Sequence, residues 1–308
     1  MVSVYTDKKT ARIVYTFDFI FRSRGVDYQL FDDLDAFKNA SGTKLCYSTE
    51  VTSEKRIVPS GLLFEDSIRS VQIGKEKFNS IECYSLDGDT DPVASIFYVL
   101  SRYEEYVDKD RDQHGRFSAG QSSLYKFGWL ETAVCDRWAE AIIAFIGVEV
   151  PASSDVNIVP TFDIDNTYAY KLKSGKQRTL SIVRDVLKRD KTRLKERRQV
   201  EEGAHDPYDT FEKIKEVAKK FPDTKVFWLV GDLASKDRNI SIDASDHAEL
   251  IREVALSASV GLHPSYASNA SAQLLSKEKA RLENVLGSGV SLSRQHFLKL
   301  QFPNTYRE

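Results

Sequence analysis

Val226-Phe227-Trp228-Leu229-Val230 is an uninterrupted run of five apolar residues between Lys225 and Gly231. Its length and its β-branched and aromatic content read as a strand buried on both faces. Upstream, Asp209-Thr210-Phe211-Glu212 has the pattern of a capping box, with Asp209 as N-cap and Glu212 reaching back. It opens a helix that carries Phe211, Ile214, Val217, Ala218 and Phe221 at helical spacing and closes before Pro222. Downstream the rhythm repeats. Asp246 to Leu256 is periodic in Leu250, Ile251 and Val254, Ser259 to Leu262 has strand length, Ala272 to Leu286 is helical through Leu275, Leu282, Val285 and Leu286, and Gly289 to Leu292 extends again. Val156 to Phe162 supplies the first strand of the series. Strands alternating with amphipathic helices predict parallel pairing with right-handed crossovers.

The clearest seam in the chain is Val150-Pro151-Ala152-Ser153-Ser154-Asp155, which predicts one domain over 1–152 and another over 153–308. The first half mixes signals. Lys9 to Arg22 reads as a helix through Ile13, Phe17 and Phe21 that stops at Gly25, and Val26 to Phe31 follows as a strand. Further helices are expected over Pro92 to Tyr106 and Asp136 to Val148, with Pro59 to Phe64 as a loop. The whole is α/β, with a mixed N-terminal domain.

Composition narrows the function classes. Lys and Arg total 44 against 46 Asp and Glu, a net charge of -2, so no global field gathers nucleic acid or anionic lipid. Cys46, Cys83 and Cys135 are three, widely spaced and without a CxxC pair, which argues against a disulfide scaffold or a cysteine-rich zinc site. No apolar run approaches the ~20 residues of a membrane span, and Met1 to Lys8 leads into no signal-peptide core. The expectation is a cytoplasmic protein with no membrane span.

In parallel α/β folds, active-site groups collect past the carboxyl ends of strands. Three such ends carry ligand-type residues here. Thr161-Phe162-Asp163-Ile164-Asp165 ends the first strand with two carboxylates, Gly261-Leu262-His263-Pro264-Ser265-Tyr266 ends the third, and Ser293-Arg294-Gln295-His296 follows the fourth. One carboxylate and two imidazoles hold a divalent metal while leaving coordination positions open. The second carboxylate is then placed to take a proton from water. Taken singly, a DxD is commonly a solvated loop or cap, and His263 or His296 a satisfied loop histidine; the coincidence at three strand ends favours a site.

At these residues the sequence resembles polysaccharide deacetylases, carbohydrate esterase family 4, whose fold is a distorted (β/α) barrel and whose first motif is similar to Thr161-Phe162-Asp163-Ile164-Asp165. The resemblance extends to a bacterial branch in which an uncharacterised α/β domain precedes the deacetylase-like domain. It runs through Ser60 to Glu65, Leu100 to Tyr106, His114 to Phe117, Asp206 to Phe211, Gly261 to Tyr266 and Ser293 to Phe297. It implies a metal-dependent hydrolase that removes N- or O-acetyl groups from carbohydrate. Asp163 is then the general base, Asp165 and His263 are ligands of a metal that is commonly zinc, and Ser265 or Tyr266 orients His263 or the substrate. Two departures bear on this. The histidine of the second motif is replaced by Ala267, so His296 is taken as the third ligand, with His205 as runner-up, and Arg294 beside it as a substrate-binding residue. The sequence also ends at Glu308, while the resemblance implies further strands with an arginine motif and a late histidine, so the expected barrel is incomplete. Uncovered sheet edges leave a homo-oligomer open.

Two rivals stand beside this expectation. The first is a non-catalytic carbohydrate-binding or assembly protein that keeps the same cradle. The second is nucleic-acid binding through residues 171–202, which hold 12 Lys or Arg against 5 acids, with Leu180, Val183 and Leu187 at helical spacing. No nucleic-acid-binding motif or aromatic interleaving accompanies that tract, and a solvated outer helix explains it as well.

Overall fold

The structure, a computed structural model, describes residues 1–151, 156–173 and 175–307. Residues 152–155, which hold most of the sequence seam and the expected domain border, lie outside the described residues, as do Ser174 and the side chain of Lys176. The chain forms two compact units, Met1–Val156 and Asn157–Glu308.

In the first unit, β1 (Val2–Thr6), β2 (Tyr28–Phe31), β3 (Thr43–Tyr47) and β4 (Arg56–Ile57) form a parallel sheet in the order β2-β1-β3-β4. A second sheet is antiparallel and joins β5 (Ile73–Phe78), β6 (Ile81–Leu86) and β7 (Asp89–Thr90). The helices are α1 (Ala11–Ile20), α2 (Leu34–Asn39), α3 (Pro92–Leu100), α4 (Glu104–Val107), α5 (Ser123–Lys126) and α6 (Val134–Ile146). Ile13, Phe17 and Ile20 from α1, Val93 and Ile96 from α3, and Trp138 and Ile142 from α6 share one core. The helix expected over Pro92 to Tyr106 breaks at Ser101–Tyr103, where Arg102 takes a positive φ of 55°.

The second unit contains β8 (Thr161–Ile164), α7 (Gly175–Leu187), α8 (Lys191–Glu201), α9 (Phe211–Lys220), β9 (Lys225–Trp228), α10 (Ser245–Ala255), β10 (Ser259–Leu262) and α11 (Ala272–Leu286). Its three strands are parallel in the order β10-β9-β8, so β9 is central, as its apolar run requires. The sheet is open. Among the described residues nothing closes it into a barrel, and the extension expected at Gly289 to Leu292 contributes only one parallel bridge, Leu262 to Ser293. The first strand begins at Thr161 rather than Val156: no described strand pairs with residues 156–159, and Val156 stays 88% exposed.

Local chemistry also departs from the pattern at α9. Its N-cap is Thr210, which makes no side-chain cap hydrogen bond. Asp209 is instead drawn to Lys171 at 3.4 Å, and Glu212 pairs with Lys215 at 2.5 Å, so neither carboxylate is used as the capping box predicts.

The core of this unit encloses a polar knot. Trp228 stacks on Phe211, with ring centres 5.6 Å apart, and donates its indole N–H to Nε2 of His247 at 3.0 Å. The other ring nitrogen of His247 lies 3.2 Å from the Ser241 carbonyl, which makes Nδ1 the protonated one. Asn239 accepts from the Thr167 amide and donates to the Leu229 carbonyl, and so binds the segment after β8 to the end of β9.

Burial lowers the pKa of His247 and outweighs its backbone hydrogen bonds. The folded unit therefore holds His247 neutral, whereas the unfolded chain takes up a proton below the ordinary value of about 6.5. The stability this contributes is present above that value and falls as pH drops below it. We expect the urea midpoint of this unit to fall between pH 7 and pH 5 by more in the native chain than in His247→Gln. Parallel pH profiles of the two chains would remove His247 from the account.

Candidate metal centre

Three groups meet past the carboxyl ends of the strands. Asp165 follows β8, and His263 follows β10, where its amide donates to the Trp228 carbonyl at 2.9 Å. His296 comes three residues after the Ser293 bridge and is held by a bond from its amide to the Pro264 carbonyl.

Their donor atoms converge. His263 Nε2 lies 3.1 Å and His296 Nδ1 3.2 Å from Asp165 Oδ1, and the two nitrogens are 2.9 Å apart. Among the described residues this is the one cluster of three His, Cys, Asp or Glu side chains spaced to hold a metal ion. Asp165, His263 and His296 would hold a divalent ion as three ligands, and such an ion would supply a Lewis acid and an activated water. Both imidazoles are buried, while the Asp165 side chain remains 55% exposed, so approach is from the carboxylate side.

The surrounding bonds set the protonation pattern. His263 Nδ1 lies 2.5 Å from the Arg294 carbonyl and must donate to it, which turns the Nε2 lone pair toward Asp165 and His296. The Lys236 backbone carbonyl lies toward the His296 ring and favours its protonated form. Burial pushes the His296 pKa down, but the Asp165 carboxylate and that carbonyl outweigh it, and the net shift is upward. The Asp165 carboxyl is held well below the ordinary carboxylate range by the His263 and His296 rings that crowd its oxygen. A carboxylate oxygen and two ring nitrogens crowded together require a cation or a proton between them, and this donor set suits a divalent metal of the zinc type.

The loops that carry the ligands are braced. Glu278 of α11, almost fully buried, accepts from the Ser265 amide at 2.9 Å and from its hydroxyl at 2.5 Å. Asp237, also buried, accepts from the Tyr266 amide at 2.7 Å. Gly231 makes the bracing possible, because a Cβ there would lie 2.5 Å from Ser265 Cβ.

Asp163 stands beside the cluster. Arg294 Nη1 donates to its Oδ1 at 3.0 Å, and the guanidinium lies over the Phe227 ring at 4.5 Å. Arg294 therefore contacts both parts of the site, His263 through its carbonyl and Asp163 through its side chain. Gly261 is required on the sheet beneath, since a Cβ would come within 2.8 Å of both the Phe227 ring and the Leu292 carbonyl.

Of the residues singled out from sequence, Asp165, His263 and His296 come together, and Asp163 joins them through Arg294. His205 is exposed and takes no part in the cluster. Ser265 is buried against Glu278, which gives it a loop-bracing role instead of a surface for substrate. Tyr266 is half-buried, edge-on to Phe297 with ring centres 5.3 Å apart, and Phe297 in turn packs on His296 at 4.6 Å. Sequence reasoning missed Asp237 and Glu278, because an isolated acid carries no sign that it will accept backbone amides from a distant loop.

Residues 2–151 match a family of unknown function, DUF7033. No curated protein and no solved structure matches the chain. These findings correct the expected kinship with polysaccharide deacetylases: no deacetylase family matches, and the second unit, which carries the cluster, lies outside the matched residues. No helix among the described residues is long and apolar enough to cross a membrane.

Proposed function

We propose that the second unit is a divalent-metal-dependent hydrolase, with zinc as its metal, that removes acyl groups; acetylated carbohydrate is the substrate class to test first. The observation that carries this is the convergence of Asp165 Oδ1, His263 Nε2 and His296 Nδ1. A bound divalent cation supplies a water of lowered pKa and polarises a carbonyl. The protein supplies the rest. Asp165, His263 and His296 provide three ligands, with the His263 tautomer fixed by the Arg294 carbonyl. Asp163, oriented by Arg294 through Oδ1, turns Oδ2 to the role of general base. Tyr266 and Phe297 form an apolar wall next to His296, of the kind that lines sites for small organic ligands.

The test is metal content followed by turnover. The full chain, stripped with chelator, incubated with zinc and dialysed, is expected to retain one equivalent, and the Asp165→Ala/His263→Ala chain none. The loaded chain is expected to release acetate from acetylated amino-sugar oligomers. A native chain that retains no zinc, manganese, cobalt or nickel above the level of the double variant would end the proposal.

A further inference from the structure

The basic tract forms two helices rather than one. It breaks at Lys188–Asp190, where Arg189 takes a positive φ of 52°, so α8 folds back on α7. The turn is secured by an ion pair that the sequence does not advertise. Arg197 Nη2 donates to Asp185 Oδ2 at 2.8 Å, with both side chains at least 95% buried, and Arg184 and Arg193 lie 3.3 and 3.5 Å from the other oxygen of the same carboxylate. One acid thus faces three guanidinium groups.

Two of these cations, Arg184 and Arg193, line a cavity of about 650 Å³. Lys173, Arg184, Arg193 and Arg238 line it, together with Gln177 and Ser235, and among the described residues no carboxylate lines it. Asp185, which pairs with the lining residues Arg184 and Arg193, is shared among three guanidinium groups, and two other acids of this region are committed elsewhere. Asp206 accepts four backbone amides, and Glu196 accepts the Tyr170 hydroxyl at 2.9 Å. Arg197 Nε and Nη1 and Arg193 Nε are buried and have no hydrogen-bond acceptor among the described residues. The Lys173 pKa is lowered, first by burial and then by Arg197 and Arg193, which is the response of a cation placed among cations. Three guanidinium groups share the single carboxylate of Asp185, so positive charge is in surplus here, and partly buried surplus charge is costly. An anion in the cavity relieves that cost.

The cavity adjoins the Asp165 cluster along the chain. Asn166, on its wall, follows Asp165, and the loop that contributes Ser235 and Arg238 also contributes Asp237 to the Tyr266 amide. We infer that this cavity binds a multiply charged oxyanion of the phosphate type and that it selects a phosphorylated substrate for the neighbouring site. The binding stands on the cavity alone, while the selection rests on the hydrolase reading. Arginine forks suit phosphate because they donate in parallel pairs, and a volume of this order accommodates a small organic phosphate.

The test is calorimetric titration of the full chain with inorganic pyrophosphate, inorganic phosphate and acetate at constant ionic strength, in the presence of chelator. Pyrophosphate and phosphate are expected to bind at least tenfold more tightly than acetate. Lys173→Ala/Arg238→Ala is expected to weaken pyrophosphate at least tenfold while its melting temperature stays at the native value. If that pair unfolds the chain, Lys173→Gln alone, which keeps the stem and removes the charge, is expected to weaken binding at least threefold. Phosphate and pyrophosphate binding no tighter than acetate, or affinity unchanged in a folded variant, overturns the inference. Because metal is absent throughout, failure here leaves the Asp165 cluster untouched, and failure of that cluster to hold metal leaves this result standing.

Discussion

Asp206→Ala is expected to remove a large part of the stability of the second unit. Asp206 is fully buried, and its carboxylate accepts backbone amides from Ala169 at 2.8 Å, Tyr170 at 2.8 Å, Lys171 at 3.1 Å and Tyr208 at 3.0 Å. Hydrogen bonds to a charged acceptor contribute about 1.5 to 3 kcal/mol each, and a buried donor left without a partner costs a similar amount. Even with partial rehydration the loss is on the order of 4 kcal/mol, against a typical total of about 5 to 15. Asp209→Ala is the contrast, since Asp209 makes only a 3.4 Å pair with the half-exposed Lys171 and should cost less than about 1 kcal/mol. Urea unfolding of the two variants checks both statements, and an Asp206→Ala midpoint within about 1 kcal/mol of the native chain would refute the first. Acid should mimic the substitution. Burial raises the Asp206 pKa, but the four amides outweigh it and lower it overall. Its contribution is therefore complete above the ordinary carboxylate value of about 3.9 and is lost as pH falls below that toward the folded value.

Asp206 also illustrates which features of the chain are legible in one dimension. The strand at Ser259 to Leu262 and the helix at Ala272 to Leu286 lie where periodicity places them, and the core strand around Val226 to Trp228 differs only at its ends. Those elements are specified by their own side chains. Asp206 is specified by amides more than thirty residues earlier in the chain, and nothing in Asp206-Pro207-Tyr208 beyond a turn signal points to them. The same holds for the basic tract. Its helical periodicity is visible, yet the buried Asp185–Arg197 pair that folds α8 onto α7 is a tertiary event. In the first unit, Val2-Ser3-Val4-Tyr5-Thr6 alternates as a strand should, but β1 is buried on both faces, and no helix–strand rhythm as regular as that of the second unit draws attention to it. The candidate site was more legible than its surroundings because ligand-type residues are few and strand ends can be located from apolar runs. The resemblance built on short strings was not sound, since such strings record strand-end chemistry shared by unrelated folds.

Asp163→Asn is expected to lower kcat by about two to four orders of magnitude on any acylated substrate the chain turns over, while zinc content stays at the native level. The reasoning is positional. Asp163 and Asp165 lie two residues apart, so the strand sends both toward the same side, but only Asp165 has an oxygen within 3.2 Å of both imidazoles. Asp163 instead meets Arg294, whose stacking on Phe227 fixes the guanidinium and hence the orientation of the carboxylate. Asparagine keeps the shape and one acceptor for Arg294 but removes the oxygen that takes the proton. Arg294→Gln leaves that oxygen in place and loosens it, so its kcat should fall less than that of Asp163→Asn. Metal analysis separates this from damage to the cluster, since the Arg294 carbonyl that orients His263 is unchanged by a side-chain substitution. If Asp163→Asn kept native turnover with full metal, the base would have to be sought elsewhere; if it lost the metal along with activity, Asp163 would belong with the ligands, and the division of labour between the two aspartates would be wrong.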